Sequence, residues 1–130
     1  MKSWDTNFLL RHLLEDDAPQ LSVVRRHIDA CERADTRIFL PQLVLVEAAW
    51  YLRSQMSPKS VADVLAEVLQ DPRFACERAH EVDAAIKATR KKGDFSDHLI
   101  AAAANRAKAP PVQTFDRTLK SFPTFEVHRA

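Results

Sequence analysis

Brief β-type runs alternate with longer runs at helical spacing along the whole chain, and this alternation restricts the fold more than any other feature. Arg37-Ile38-Phe39-Leu40 closed by Pro41, Phe74-Ala75-Cys76 and Val112-Gln113-Thr114-Phe115 read as strands. Residues 1–5 and 124–128 are weaker strand candidates. Between them the apolar spacing predicts a helix capped by Thr6 or Asn7 and ended by Asp16, Asp17 and Pro19, then helices over 20–34, 42–54, 58–71, 78–92 and 95–108. A short helix is expected over 117–121. The 42–54 segment is apolar nearly all round, so a buried helix is expected there. Strands separated by helices imply an α/β fold whose parallel sheet is covered on both faces. Right-handed crossovers then place the C-terminal strand ends along one edge, where such folds keep their sites.

A length of 130 residues fits one domain over 1–130, large enough to bury a core without staples. There is one glycine, Gly93. P-loops, dinucleotide fingerprints and kinase-type lids need several glycines for close phosphate approach, so glycine-cradle chemistry is excluded. The formal net charge of +1 excludes nucleic-acid binding by bulk charge and leaves only local patches. Cys31 and Cys76 lie far apart and read as buried thiols of a reducing cytosol. No apolar stretch approaches the roughly 20 residues of a membrane span, so a soluble, cytoplasmic protein is expected.

The acids carry the chemistry. Asp5 follows the first strand candidate, and Asp116 follows Val112–Phe115 in the same kind of position. Asp94 and Asp97 share the first turn of the alanine-rich helix, and Glu47 stands inside the apolar 42–54 helix. Each has an ordinary reading: a capping box for Asp94 and Asp97, turn residues for Asp5 and Asp116, an ion pair with Arg53 for Glu47. Together they read differently, because the topology sends Asp5, Asp97 and Asp116 to one edge. Carboxylates crowded there repel by roughly 3 kcal/mol per pair at ~5 Å and an effective dielectric near 20. A hard divalent cation held by oxygen ligands resolves that cost and suits phosphodiester hydrolysis. His12, His27, His80, His98 and His128 show no metal-type spacing, and His98 is expected to face solvent.

At these residues the chain resembles the PIN-domain ribonucleases, specifically the VapC-type toxins of toxin–antitoxin pairs. The resemblance lies in Asp5-Thr6-Asn7-Phe8-Leu9-Leu10-Arg11, in Ile38-Phe39-Leu40-Pro41 leading to Val44-Leu45-Val46-Glu47, in Gly93-Asp94-Phe95-Ser96-Asp97-His98-Leu99, and in Thr114-Phe115-Asp116-Arg117. It implies a three-layer α/β/α sandwich with a central, mainly parallel sheet of about five short strands. It further implies an acidic pocket for magnesium or manganese, and RNA hydrolysis by water that the metal activates. Asp5, Glu47, Asp97 and Asp116 match the acidic quartet. Asp5, Asp97 and Asp116 are the implied metal ligands, the first two most directly, with Glu47 and Asp116 acting through water or a second ion. Asp94 matches an accessory acid, and Asn7 and Thr114 match positioning groups. The implied partners are an RNA substrate, a cognate antitoxin that blocks the pocket, and a second copy in a homodimer. Two departures stand out: Lys2-Ser3-Trp4 is more polar than the usual first strand, and Ala109-Pro110-Pro111 replaces a glycine-containing turn.

Arg11, Arg90, Lys91, Lys92 and Arg117 cluster around these acids in sequence and are candidate phosphate contacts. The ordinary reading of Arg90 to Lys92 is charge complementing a helix C-terminus. Phe95, Trp50 and Tyr51 are candidates for base stacking or, as the commoner job, core packing. An aspartyl-nucleophile phosphotransferase would want a second acid at the position of Asn7. A receiver domain would want adjacent acids at Asp5-Thr6. A catalytically idle PIN-like scaffold, acting through protein or RNA binding, is the alternative that keeps every anchor.

Overall fold

Side-chain oxygens cap the first four helices. In the computed structural model, which describes all 130 residues, the first element is β1 (Lys2–Ser3), followed by α1 (Thr6–Leu14) and α2 (Ala18–Arg33). Asp5, rather than Thr6 or Asn7, caps α1, accepting the Phe8 amide at 2.9 Å. Asp17 accepts the Gln20 amide at 3.0 Å, so Asp17 and Pro19 open α2 instead of only closing α1. The chain continues through β2 (Ile38–Leu40), α3 (Gln42–Arg53), α4 (Pro58–Gln70) and β3 (Phe74–Cys76). Pro41 has no side-chain oxygen to cap α3. Glu77, just past β3, supplies the missing acceptor to the Gln42 amide at 2.8 Å. Then come α5 (Ala79–Lys91), α6 (Phe95–Arg106), β4 (Val112–Thr114), a 3₁₀ turn (Arg117–Leu119) and β5 (Phe125–Val127). No helix is long and apolar enough to cross a membrane.

The core is one cluster of 24 buried residues that begins at Trp4 and ends at Leu99. Ile38 and Leu40 of β2 enter it from one face while Phe39 is half-buried on the other, so both faces of the sheet are covered. Leu45, Ala48 and Leu52 of α3, Val61 and Leu65 of α4, and Val82 and Ile86 of α5 complete it. The 42–54 helix is not buried all round. Leu43 and Trp50 keep 67% and 68% of their surface, and Glu47 and Tyr51 are exposed with them. That places Glu47 on a solvated face, which removes the burial cost expected of it. It also overturns the core-packing reading of Trp50 and Tyr51.

The fold is α/β, with six helices and short strands paired only in parallel, and is consistent with a PIN-like sandwich. The five strands expected are present but fall into two sheets, β1-β2-β3 and β4-β5, instead of one continuous sheet. The polarity of Lys2 and Ser3 accounts for this. β1 is two exposed residues long, and the chain turns into a helix cap at Asp5, leaving almost no edge for another strand. Pro110 and Pro111 carry no amide hydrogens, and the first donor after them, Val112, goes to the Thr124 carbonyl at 2.8 Å.

The β4–β5 segment therefore adds nothing to the main core, and Leu119 is the one buried residue after Leu99. Its mooring is Phe122. Gly93 adopts φ +86°, and a Cβ there would stand 3.0 Å from Phe122 Cζ and 3.1 Å from His98 Nε2. The His98 ring meets Phe122 edge-on at 5.6 Å and donates from Nε2 to the Lys92 carbonyl at 2.6 Å. Lys92 bonds Ser121 and lies 5.3 Å over the Phe122 ring. His98 is thus half-buried and bonded, not a solvent-facing residue.

Gly93→Ala should cost roughly 1–3 kcal/mol, from the left-handed backbone and the lost approach of Phe122. Hydrogen exchange should quicken over residues 112–127 more than over the α3 and α4 amides. Uniform exchange changes would contradict a local mooring.

Candidate active site at the acidic edge

Asp97 is the least compensated acid on this edge. It stands in the first turn of α6, half-buried, and its carboxylate accepts no hydrogen bond and joins no ion pair. Burial raises its pKa above the ordinary aspartate value, and the charges of Asp94 and Asp116 raise it further. Asp94 is the N-cap residue of α6 by position, but its side chain makes no cap bond. It accepts from Arg53 Nε at 2.8 Å instead, so Arg53 belongs to Asp94 and not to Glu47. Asp116 is exposed and capped from the other direction. It accepts from the Thr118 hydroxyl at 2.7 Å and the Thr118 amide at 2.9 Å, and these bonds lower its pKa. The Thr114 hydroxyl accepts the Asp116 amide at 3.0 Å. The two carboxylates are thereby pushed in opposite directions, Asp97 toward its proton and Asp116 away from it.

Asp5 and Glu47 form a second group. Thr6 donates its hydroxyl to Glu47 Oε1 at 2.6 Å, tying the residue after Asp5 to α3. Asp5 and Asn7 share an open cleft with Arg11, Gln20 and Val23. Asp5 is not among the charges that act on Asp97.

The PIN domain family model matches residues 4–124, which takes in every acid just placed. The chain belongs to the PIN-domain family. No curated protein and no solved structure matches it significantly. The family assignment brings a nuclease-type fold with it, and in this PIN domain the donor chemistry fits a hard divalent cation: carboxylate oxygens, one of them half-buried without a partner. The side chains do not yet converge, since no three His, Cys, Asp or Glu groups are arranged to hold a metal ion. The reasons are local. Asp5 is occupied with the α1 cap, Asp94 with Arg53 and Asp116 with Thr118.

The basic candidates separate in the same way. Arg11 pairs with Asp16, Arg90 with Asp63, and Lys92 is bound into the Phe122 mooring. Lys91 is exposed, and Arg117 remains free of any ion pair. Phe95 is core, as expected. Sequence reasoning overlooked Thr118 and the exposed Phe115, and gave Arg53 the wrong partner. Thr118 was readable, because a hydroxyl two residues after Asp116 is a common cap partner. The Arg53–Asp94 pair spans 41 residues and left no local signal.

The pKa of Asp97 sets a sign for stability. Folded Asp97 holds its proton more tightly than the unfolded chain does, so its ionised form destabilises the fold above both pKa values. The penalty fades as pH falls through the raised folded value toward the ordinary one. Asp97→Asn should therefore raise the urea midpoint at pH 7 and leave it unchanged near about pH 3. A lower midpoint at pH 7 would show that Asp97 is stabilised by a contact the acidic neighbours do not reveal.

Proposed function

We propose that this PIN domain is a metal-dependent endoribonuclease of the VapC type, the toxin of a toxin–antitoxin pair. The observation that carries the reading is Asp97: a half-buried carboxylate without a partner, pressed by Asp94 and Asp116. A fold keeps such a group where a cation or a proton is meant to answer it. Asp97, Asp5 and Asp116 are the residues that would hold magnesium or manganese, with Glu47 and the accessory Asp94 around them. Bound there, the ion supplies positive charge against the scissile phosphate and lowers the cost of ionising water.

The chain's own groups do the rest. Thr118 keeps Asp116 ionised, and Thr114 fixes its backbone. Thr6 orients Glu47, and Asn7 stands beside Asp5 in the cleft. Arg53 offsets the charge of Asp94, which reduces the repulsion on Asp97. Water adds to phosphorus, the ester bond to one ribose oxygen breaks, and the proton lost by water returns to that leaving oxygen. The basic rim, Arg11, Arg90, Lys91, Lys92 and Arg117, would contribute to RNA binding chiefly through Lys91 and Arg117, since the others are engaged.

Leu43, Trp50 and Tyr51 on the solvated face of α3 support a protein partner, either the antitoxin or a second copy in a homodimer. A cytoplasmic setting accords with two free cysteines, one of them buried. The scaffold alternative draws support from one fact, that Asp5, Asp94 and Asp116 are each bonded within the fold.

Cleavage of single-stranded RNA separates the two. Purified protein should cut RNA with magnesium or manganese and not with EDTA. Asp97→Asn and Asp5→Asn should each lose more than the roughly 10–100-fold typical of groups that only support a metal ligand. Folded protein with no metal-dependent cleavage would leave the scaffold reading.

A further inference from the structure

Three cations without an ion pair lie next to Asp116, and of them only Arg117 belongs to the basic rim named above. Arg117, Lys120, Val127, His128 and Arg129 line one open cleft of about 350 Å³, with no carboxylate among them. Arg117, Lys120 and Arg129 take part in no ion pair. His128 alone of the cleft residues lies within ion-pair distance of an acid, Glu126 at 3.3 Å.

Local geometry assembles the cluster. A 3₁₀ turn eclipses side chains three apart, which sets Arg117 and Lys120 on one side, and buried Leu119 anchors the turn between them. The parallel pairing of Thr114 with Val127 carries His128 alongside Phe115, and the His128 amide donates to the Thr114 carbonyl at 2.8 Å. The next step along each strand reaches Asp116 on one side and Arg129 on the other. A turn of three residues has no macrodipole for these cations to complement, so helix-end electrostatics does not explain them. Phe115 stands at the same end, 70% exposed, its ring 6.4 Å from that of His128.

We infer that this cleft binds backbone phosphates of single-stranded RNA beside the cleavage site, with Phe115 offering a face to one base. The choice of RNA rests on the ribonuclease reading above. Unpaired cations beside an exposed aromatic ring are what single-strand grooves use, charge following the backbone and the ring accepting any base. Arginine guanidinium also suits phosphate geometry. The arrangement solves a problem the acids create, because Asp94, Asp97 and Asp116 repel the polyanion they would act on. The cleft attracts it from the residue adjoining Asp116.

Binding and cleavage can be read apart. Fluorescence anisotropy with a labelled single-stranded RNA of about 12 nucleotides, in EDTA, measures binding alone. Lys120→Ala with Arg129→Ala should weaken binding several-fold and reduce the salt slope by about 0.7 for each lost contact. Phe115→Ala should weaken binding without changing the slope. Arg33→Ala with Lys59→Ala removes equal charge from unpaired, exposed sites on α2 and α4 and should change neither. In the cleavage assay the Lys120, Arg129 pair should raise KM and leave kcat unchanged. No RNA binding by the wild-type protein, unaltered binding by the cleft variants, or an equal loss in the control pair would each overturn the inference. Wild-type protein that binds through the cleft yet cuts nothing would sink the nuclease reading and leave the cleft standing. Cleavage without cleft dependence would do the reverse.

Discussion

The contact between Phe122 and the bare Cα of Gly93 decides where the last acid stands. Asp116 belongs to a segment outside the main sheet and the main core, so neither ladder nor core packing places it. What places it is the ring of Phe122 against Gly93 and His98, reinforced by Lys92 on Ser121. Gly93 is also the residue before Asp94 and α6. One close approach thus fixes the entry to the helix bearing Asp97 and the docking of the segment bearing Asp116. The chain's single glycine sits at the joint of its candidate site.

On that joint rests a balance of opposed charge. Every candidate acid except Asp97 has a structural bond, a cap for Asp5, Thr6 for Glu47, an arginine for Asp94, a threonine for Asp116. Those bonds lower the cost of holding negative charge together, and they leave Asp97 as the half-buried carboxylate without a partner. The cationic cleft beside Asp116 completes the balance on the other side. A net charge of +1 conceals both fields, since it averages an acidic edge with a basic flank.

Much of this was legible in the sequence because it rests on local chemistry. The order of helices and strands followed from apolar spacing, and the PIN family followed from motif order around Asp5, Glu47, Asp97 and Asp116. Non-local choices were not legible. Nothing near Arg53 says that it reaches Asp94 rather than Glu47, and nothing near Pro41 says that Glu77 will cap the helix after it. The exposure of Glu47, Trp50 and Tyr51 depended on which face of α3 the core covered, and an apolar helix does not declare that face. The division of the sheet was half visible. Polar Lys2 and Ser3 and the two prolines before β4 were on view, but their joint effect emerges only once the strands are side by side.

The most direct measurement is paramagnetic broadening of backbone amide signals on titrating manganese into the isotope-labelled protein, without RNA. The signals of Asp5, Asp97 and Asp116 and their neighbours should fade first and together, and Asp97→Asn should abolish the effect at the same manganese concentration. Loss of signal centred elsewhere, or an unchanged response in Asp97→Asn, would contradict an acidic edge built to hold a divalent cation.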